Sequence, residues 1–577
     1  MTKTMETETR FDWGEIVRLG LLAAIIALSL NLIGMVGTFA GRDIIGGMVS
    51  VGHVFLFGAA LGCGYIAAQR FSGGGAGNTL LGGPPRVLVA GLVIGLLSGL
   101  PLVVLVLTAE PLNLRQFMPY VSPALLEVLT FGQGQALGSL ILIVVASVLG
   151  LIGAGIPLLP SRVRQPLIWG LAAVFLVGLL AEVIILAWGN QGLGLAIRRV
   201  VFAARGLSIL GASLVFLIVA GLSAWWNSRG EGIKARVNAL PPERQRNVRW
   251  GGIGLGILLL LFLPLFLRTY LSEVIDNVGI YILMGLGLNI VVGFAGMLNL
   301  GYVAFFAIGA YTMALLTPSE YGVAGLSFWT ALPFSVLAAV LMGLILVIPV
   351  LKMRGDYLAI VTLGFGEIIR ILVLSDFLAP WIGGAQGILK IPNVPIGGLE
   401  LVKPEQLYYV ILAGCLLALF VSWRLRDARM GRQWRALRED EDVAEAMGIN
   451  LVKTKLLAFA IGAAFAGMSG AIFASKLGSI FPHSFNLMVS INVLCLIIVG
   501  GIGSLPGVVV GAIFLVGLPE LLREFAEYRL LMYGALLIVM MVARPEGLWP
   551  SEVMKRELRA DSEEPSPSGG GSMIEPV

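Results

Sequence analysis

Within the apolar run LAIVTLGFGEIIRILVL, Glu367 and Arg370 stand three residues apart, close to one helical turn, where a carboxylate and a guanidinium can neutralise each other. A charge left alone at the centre of a bilayer costs roughly 2.5–3.5 kcal/mol or more, so the two are read as an intramembrane ion pair, either structural or lining a pore. Glu182, in AEVIILAW, has no such neighbour and must be neutralised by protonation or by a partner on another helix. Asn289 and Asn299 bracket a glycine break at Gly293 and Gly296, with Gly301 just beyond. An amide in hydrocarbon needs partners, so these asparagines either bond between helices or meet a polar solute. The glycines either let helices approach closely or interrupt one and free its backbone groups to face a cavity. A second break contains Gly500, Gly501, Gly503, Pro506 and Gly507, and splits an apolar stretch too long for one span into two half-length pieces.

These residues need a membrane around them. The chain has 577 residues, 58% hydrophobic and 13% charged, with 76 glycines and a mean hydropathy of +0.93. An ordinary soluble domain is about 25% charged, so the chain lacks the polar surface to cover several soluble cores. The net charge of +5 comes from basic residues that mostly sit between apolar runs, which reads as topology and not as nucleic-acid binding. Three isolated cysteines and two isolated histidines give neither a disulfide framework nor a metal-ligand spacing. The expected fold is an all-α, polytopic transmembrane bundle of about 15–16 apolar segments, counting broken and half-length helices.

Six candidate spans fall in 1–226, near 16–37, 46–68, 86–108, 135–158, 166–188 and 207–226. A basic stretch at 227–250 is read as a cytoplasmic linker, followed by a second region at 251–550 whose first candidates are 252–270 and 277–296. The Pro/Gly/Ser-rich end, 551–577, is expected to be a disordered cytoplasmic tail, and the mixed-charge start a retained cytoplasmic end. Arg198, Arg199 and Arg205 fall outside by this count, so 190–206 is either interfacial or a sign that one span is miscounted. The order Leu-Asn, FAG, polar residue, aliphatic, glycine occurs around Asn31 to Gly52 and again around Asn289 to Gly301, as in a duplicated unit with an insertion near 42–47.

The polar island 424–455 holds six arginines, then Glu439, Asp440, Glu441, Asp442 and Glu445, then Gly448. Early acids and a terminal glycine predict a short capped helix over 439–447, lying between spans on the cytoplasmic side. Val443, Ala444 and Met447 are expected on one face, suited to a groove on a soluble partner. No G-x-x-x-x-G-K-[ST] occurs, so the chain carries no phosphate-binding loop of this kind.

Four ordered stretches, LNIVVGFAGMLNLGYVAFFAIGAYTMALL, MRGDYLAIVTLGFGEIIRIL, EDVAEAMGINLVKTKLLAFAIGAAFAGMSGAIFA and GGIGSLPGVVVGAIFLVGLPELL, resemble the M-type membrane permease of branched-chain amino-acid ABC importers. The resemblance covers about 277–550. The SVGHVFLFGAA stretch is similar to the opening of such permeases, although 1–226 lacks a second EAMG-like helix. The resemblance implies a permease with no cofactor of its own, driven by ATP used in partner subunits. It further implies ATP-binding subunits inside, an H-type partner permease, an extracytoplasmic substrate-binding protein, and a multi-pass place in a bacterial-type inner membrane. On the matching motif, Glu445, Ala446, Met447 and Gly448 fall on the coupling helix that docks on the ATPase, and the translocation path is expected at Asn289, Gly293, Gly296, Asn299 and Gly301. An ion-coupled secondary transporter is the alternative, since broken helices, a repeat and intramembrane carboxylates suit one equally. A membrane enzyme would need a catalytic constellation, and the sequence offers none.

Overall fold

The computed structural model describes residues 13–71, 84–188, 198–203, 206–238, 241–351, 353, 355–521, 528–544 and 546–550. The expected tail at 551–577 and much of the questioned stretch 190–206, Arg205 included, lie outside them. Among the described residues eleven helices are long and apolar enough to cross a membrane, twelve if a bent pair is one span, and two shorter apolar helices accompany them. The molecule is an all-α, multi-pass membrane bundle, because only helices satisfy their own backbone groups in lipid at these lengths. The chain divides into two compact units, Met1–Ile253 and Gly254–Val577.

The helices used below are numbered in chain order. In the first unit α1 is Trp13–Leu32, α2 Val51–Phe71, α3 Pro84–Ala109, α4 Gln135–Gly155, α5 Ser161–Leu179 and α6 Ile209–Asn238. Close packing here is glycine-mediated: a Cβ on Gly95 of α3 would overlap the Ala146 carbonyl of α4, and one on Gly153 of α4 would overlap the Leu61 carbonyl of α2. Lipid gives helices no hydrophobic reason to associate, so backbone approach through small residues supplies the dispersion contacts instead. Glu182 finds its partner in Arg42, in the loop just before Asp43, at 3.2 Å. The insertion near 42–47 folds as the hairpin Asp43–Ile45 and Val49–Ser50, extended by Gly206–Leu207 and Phe202–Ala203 into a small four-stranded sheet. Phe202–Ala203 and Gly206–Leu207 are therefore strands and not part of a span.

The numbering continues with α7 Pro242–Leu288, most of which belongs to the second unit, and there with α8 Val303–Leu316, α9 Phe328–Val350, α10 Asp356–Leu374 and α11 Pro404–Asp427. They are followed by α12 Arg429–Glu439, α13 Glu441–Ala446, α14 Leu451–Leu477, α15 Leu487–Gly500, α16 Leu505–Ala512 and α17 Arg529–Ala543. The separate candidates 252–270 and 277–296 are one continuous helix, α7, because nothing in Leu271 to Asp276 is a helix breaker. Among its described residues the linker region is helical over 227–238, the end of α6, and over 242–250, the start of α7. The core gathers on α8 and α14, whose facing glycines interlock: a Cβ on Gly309 would overlap the Gly467 carbonyl, and one on Gly470 the Phe306 carbonyl. Gly309→Leu should therefore lower stability by about 1–3 kcal/mol through overpacking, whereas Gly364→Ala on α10, which meets nothing within 4 Å, should leave it unchanged or slightly raised. Thermal unfolding in detergent compares the two.

Candidate functional site

The island begins with α12, an amphipathic helix that buries Gly431, Trp434 and Leu437. Trp434 donates its indole N–H to the Thr454 carbonyl at 3.0 Å and so pins α12 to the start of α14. Four residues after Trp434, on the same side of the helix, Arg438 donates Nη1 to the Gly293 carbonyl at 2.8 Å. That carbonyl is free because α7 passes at Asn289–Phe294 into a π-turn and ends, leaving terminal carbonyls without an intrahelical donor. A guanidinium there also complements the negative end of the helix dipole. Gly296, at φ +72°, lies under the Arg438 side chain, which a Cβ would meet at 2.8 Å.

Asn289, wholly buried, accepts the Gly503 N–H on its Oδ1 at 2.9 Å. Gly293 must be glycine for this to happen, since a Cβ would overlap Asn289 Oδ1 and come within 2.8 Å of Gly503 N. The structure thus brings the two breaks and the polar island, more than 200 residues apart in sequence at the extremes, onto one junction. The second break bends α15 against α16 and its continuation to Glu520 by 119°. Its turn runs through Gly501 to Ser504, and Pro506 lies in the first turn of α16, where its missing N–H costs nothing. Gly500 and Gly507 face each other so closely that a Cβ on Gly507 would lie 2.6 Å from the Gly500 carbonyl. Trp549 N–H and Leu548 N–H cap the carbonyls of Gly500 and Val499 at 2.9 and 2.8 Å.

Asn299, also fully buried, accepts the Gly301 N–H at 3.1 Å. A Cβ on Gly301 would overlap the Thr362 carbonyl, so this glycine sets the approach of α10, and Thr362 Oγ1 accepts the Leu300 N–H at 3.1 Å. The Nδ2 groups of Asn289 and Asn299 have no hydrogen-bond partner, leaving two buried donors that each cost about 1–3 kcal/mol when unmet. The Glu367 and Arg370 side chains meet at 2.8 Å, each about one-third exposed. Arg370 lines a narrow cleft with Ala304, Ala307, Tyr311 and Phe485, apart from the Asn289 junction.

The short helix of the island is narrower than 439–447. Glu439 ends α12, and Asp440 caps α13 by accepting the Asp442 and Val443 N–H groups at 2.8 and 3.0 Å. Gly448, at φ +85°, closes it: its N–H bonds the Glu445 carbonyl at 2.9 Å and the Ile449 N–H bonds the Ala444 carbonyl at 3.1 Å, a Schellman ending. Ala444 points inward and does not share the outer face, whereas Val443 is 59% and Met447 79% exposed one turn apart, beside exposed Glu445 and Ala446. Glu441 pairs at 2.9 Å with buried Lys455, whose ammonium also reaches the Leu351 carbonyl at the end of α9. Sequence reasoning missed the roles of Arg438 and Lys455. The signal for Arg438 was its place one turn after a tryptophan on an otherwise basic helix.

A multi-pass bundle with broken helices, joined at one junction to an exposed capped helix, defines a membrane permease. Residues 270–542 match the family described as branched-chain amino acid transport system / permease component. The chain is 46% identical over 294 residues to the high-affinity branched-chain amino acid transport system permease protein LivM of Escherichia coli strain K12, covering 47% of this chain and 68% of that one. It is 25% identical to LivH of Salmonella typhimurium, covering 46% of this chain and 90% of that one, and 26% identical to BraD of Pseudomonas aeruginosa. No solved structure matches the chain. The chain belongs to the branched-chain amino acid transport permease family, and its family match lies within the second compact unit, Gly254–Val577.

Proposed function

We propose that the chain is the M-type membrane permease of an ATP-driven importer that moves branched-chain or other small aliphatic amino acids inward across the bacterial inner membrane. On this reading the chain binds no nucleotide and performs no catalysis itself. Separate ATP-binding subunits dock on Val443, Glu445, Ala446, Met447 and Gly448, an H-type permease pairs with it, and an extracytoplasmic binding protein delivers the solute. The observation that carries the reading is the Arg438 to Gly293 hydrogen bond, which joins the helix preceding this exposed face to the broken end of α7. Closure of the ATPases would shift α13, α12 would follow because Trp434 and Lys455 tie the island to α14 and α9, and Arg438 would pull on Gly293. The Asn289 to Gly503 bond would pass that displacement to the bent pair α15 and α16, so that two packed arrangements alternate. Asn289, Gly293, Gly296, Asn299 and Gly301 then border the path, with the two unmet amide donors available to a polar solute.

The test is uptake into vesicles holding the chain with its companion subunits. Leucine accumulation should require ATP and vanish with a hydrolysis-blocked ATPase. Accumulation that follows a sodium or proton gradient and ignores ATP would establish the secondary-transporter reading instead.

A further inference from the structure

At the end of α14 away from the polar island, a cavity of about 100 Å³ lies between α7, α8 and α14, walled by Tyr281, Met284, Phe306, Phe473 and Val489 and by the amide of Asn277. One water occupies about 30 Å³ of the liquid, so the space holds a small branched aliphatic group. Phe306 and Phe473 meet as a tilted pair with ring centres 5.1 Å apart, and Phe485 contacts both behind the lining, at 5.5 and 6.2 Å, which gives an aromatic floor.

Behind the cavity-lining Asn277 lie charges of both signs. Lys476 donates its ammonium to Asn277 Oδ1 and lies within electrostatic reach of Asp276, Glu273 and Glu520. Asp276 is fully buried, and neither of its carboxylate oxygens has a hydrogen-bond partner; the Ser272 and Ser475 hydroxyls are in the same condition. Asp276 precedes Asn277 directly and stands one turn before Ile280, so it flanks the helix face that lines the cavity. A buried carboxylate with no donor is costly unless something supplies one, and an ammonium supplies three. Lys476 has three donors of its own, which a carboxylate can share with Asn277.

We propose that this chamber is a station for a zwitterionic aliphatic amino acid: its ammonium is received by Asp276, its carboxylate by Lys476 and Asn277, and its side chain by the aromatic cavity. A solute with only one of the two charges leaves the other rim group buried and unpaired, so the rim selects zwitterions and the floor selects small branched side chains. The inference rests on the importer reading and adds to it a solute-holding site within the permease itself.

Binding of radiolabelled leucine to the purified full chain in lipid nanodiscs tests it. Valine should displace leucine, while isocaproate, which lacks the ammonium, and isoamylamine, which lacks the carboxylate, should each compete about tenfold or more weakly. Asp276→Asn and Phe473→Trp, the second filling the floor without touching the rim, should each weaken leucine binding by about tenfold or more while eluting as the wild type does. Absence of leucine binding to the wild type, equal competition by the singly charged analogues, or wild-type binding by both variants would overturn the station. The importer reading is judged separately, by the ATP requirement of uptake: loss of the station with ATP-driven uptake intact removes only the station.

Discussion

Arg438→Ala should lower ATP-driven uptake by about ten- to a hundredfold while the subunits still assemble and hydrolyse ATP. The arginine makes one charge-assisted hydrogen bond to the Gly293 carbonyl, and its stem covers Gly296. A hydrogen bond to a charged group contributes about 1.5–3 kcal/mol, and each 1.4 kcal/mol is a factor of ten. Truncation removes that link and leaves a helix-end carbonyl short of its donor, yet α12 keeps its anchor through Trp434. Arg438→Lys retains the charge but not the reach and geometry of the guanidinium, and should recover part of the uptake. The measurement is the ratio of leucine transported to ATP hydrolysed in reconstituted vesicles. If the alanine variant transported with wild-type stoichiometry, Arg438 would be a surface residue and the junction would carry no displacement.

A charge on the exposed face of α13 should have the second large effect. Val443 and Met447 are solvent-facing apolar side chains one turn apart on a helix capped at both ends, by Asp440 and by Gly448. A carboxylate buried in an interface without a partner costs several kcal/mol, so the double variant Val443→Asp, Met447→Asp should lose most co-purification of the ATP-binding subunits. Both positions are exposed, so membrane insertion and thermal stability of the permease alone should stay unchanged. Gly448→Trp probes the same contact by another route, since its φ of +85° disfavours any residue with a Cβ. Retention of the ATPases by the double variant would move the docking surface elsewhere.

How far the residues themselves foretold these sites differs from one to the next. The cap of α13 was legible because a cap is local: Asp440 bonds two residues within three positions of itself, and Gly448 closes on Glu445. The partnership of Glu367 with Arg370 is equally local. Which face of α13 is outward was not legible, because Ala444 and Val443 are both small and apolar and only the packing of α12 and α14 decides between them. Pro506 illustrates the same limit: proline forbids a helix interior but suits a helix start, and the choice depends on where Ser504 places its cap. The partner of Glu182 lies 140 residues away in Arg42, beyond any periodicity.

From the sequence alone came the membrane bundle, its main breaks and the capped helix on the polar island, since apolar length, glycine placement and capping residues act over a few positions along the chain. The tertiary structure alone decided that Arg438 reaches Gly293, that Asn289 holds Gly503, and that Asp276 is buried without a donor beside Lys476. Those contacts are set by how helices distant in sequence settle against one another, and glycine surfaces permit many settlements until backbone carbonyls and side chains select one.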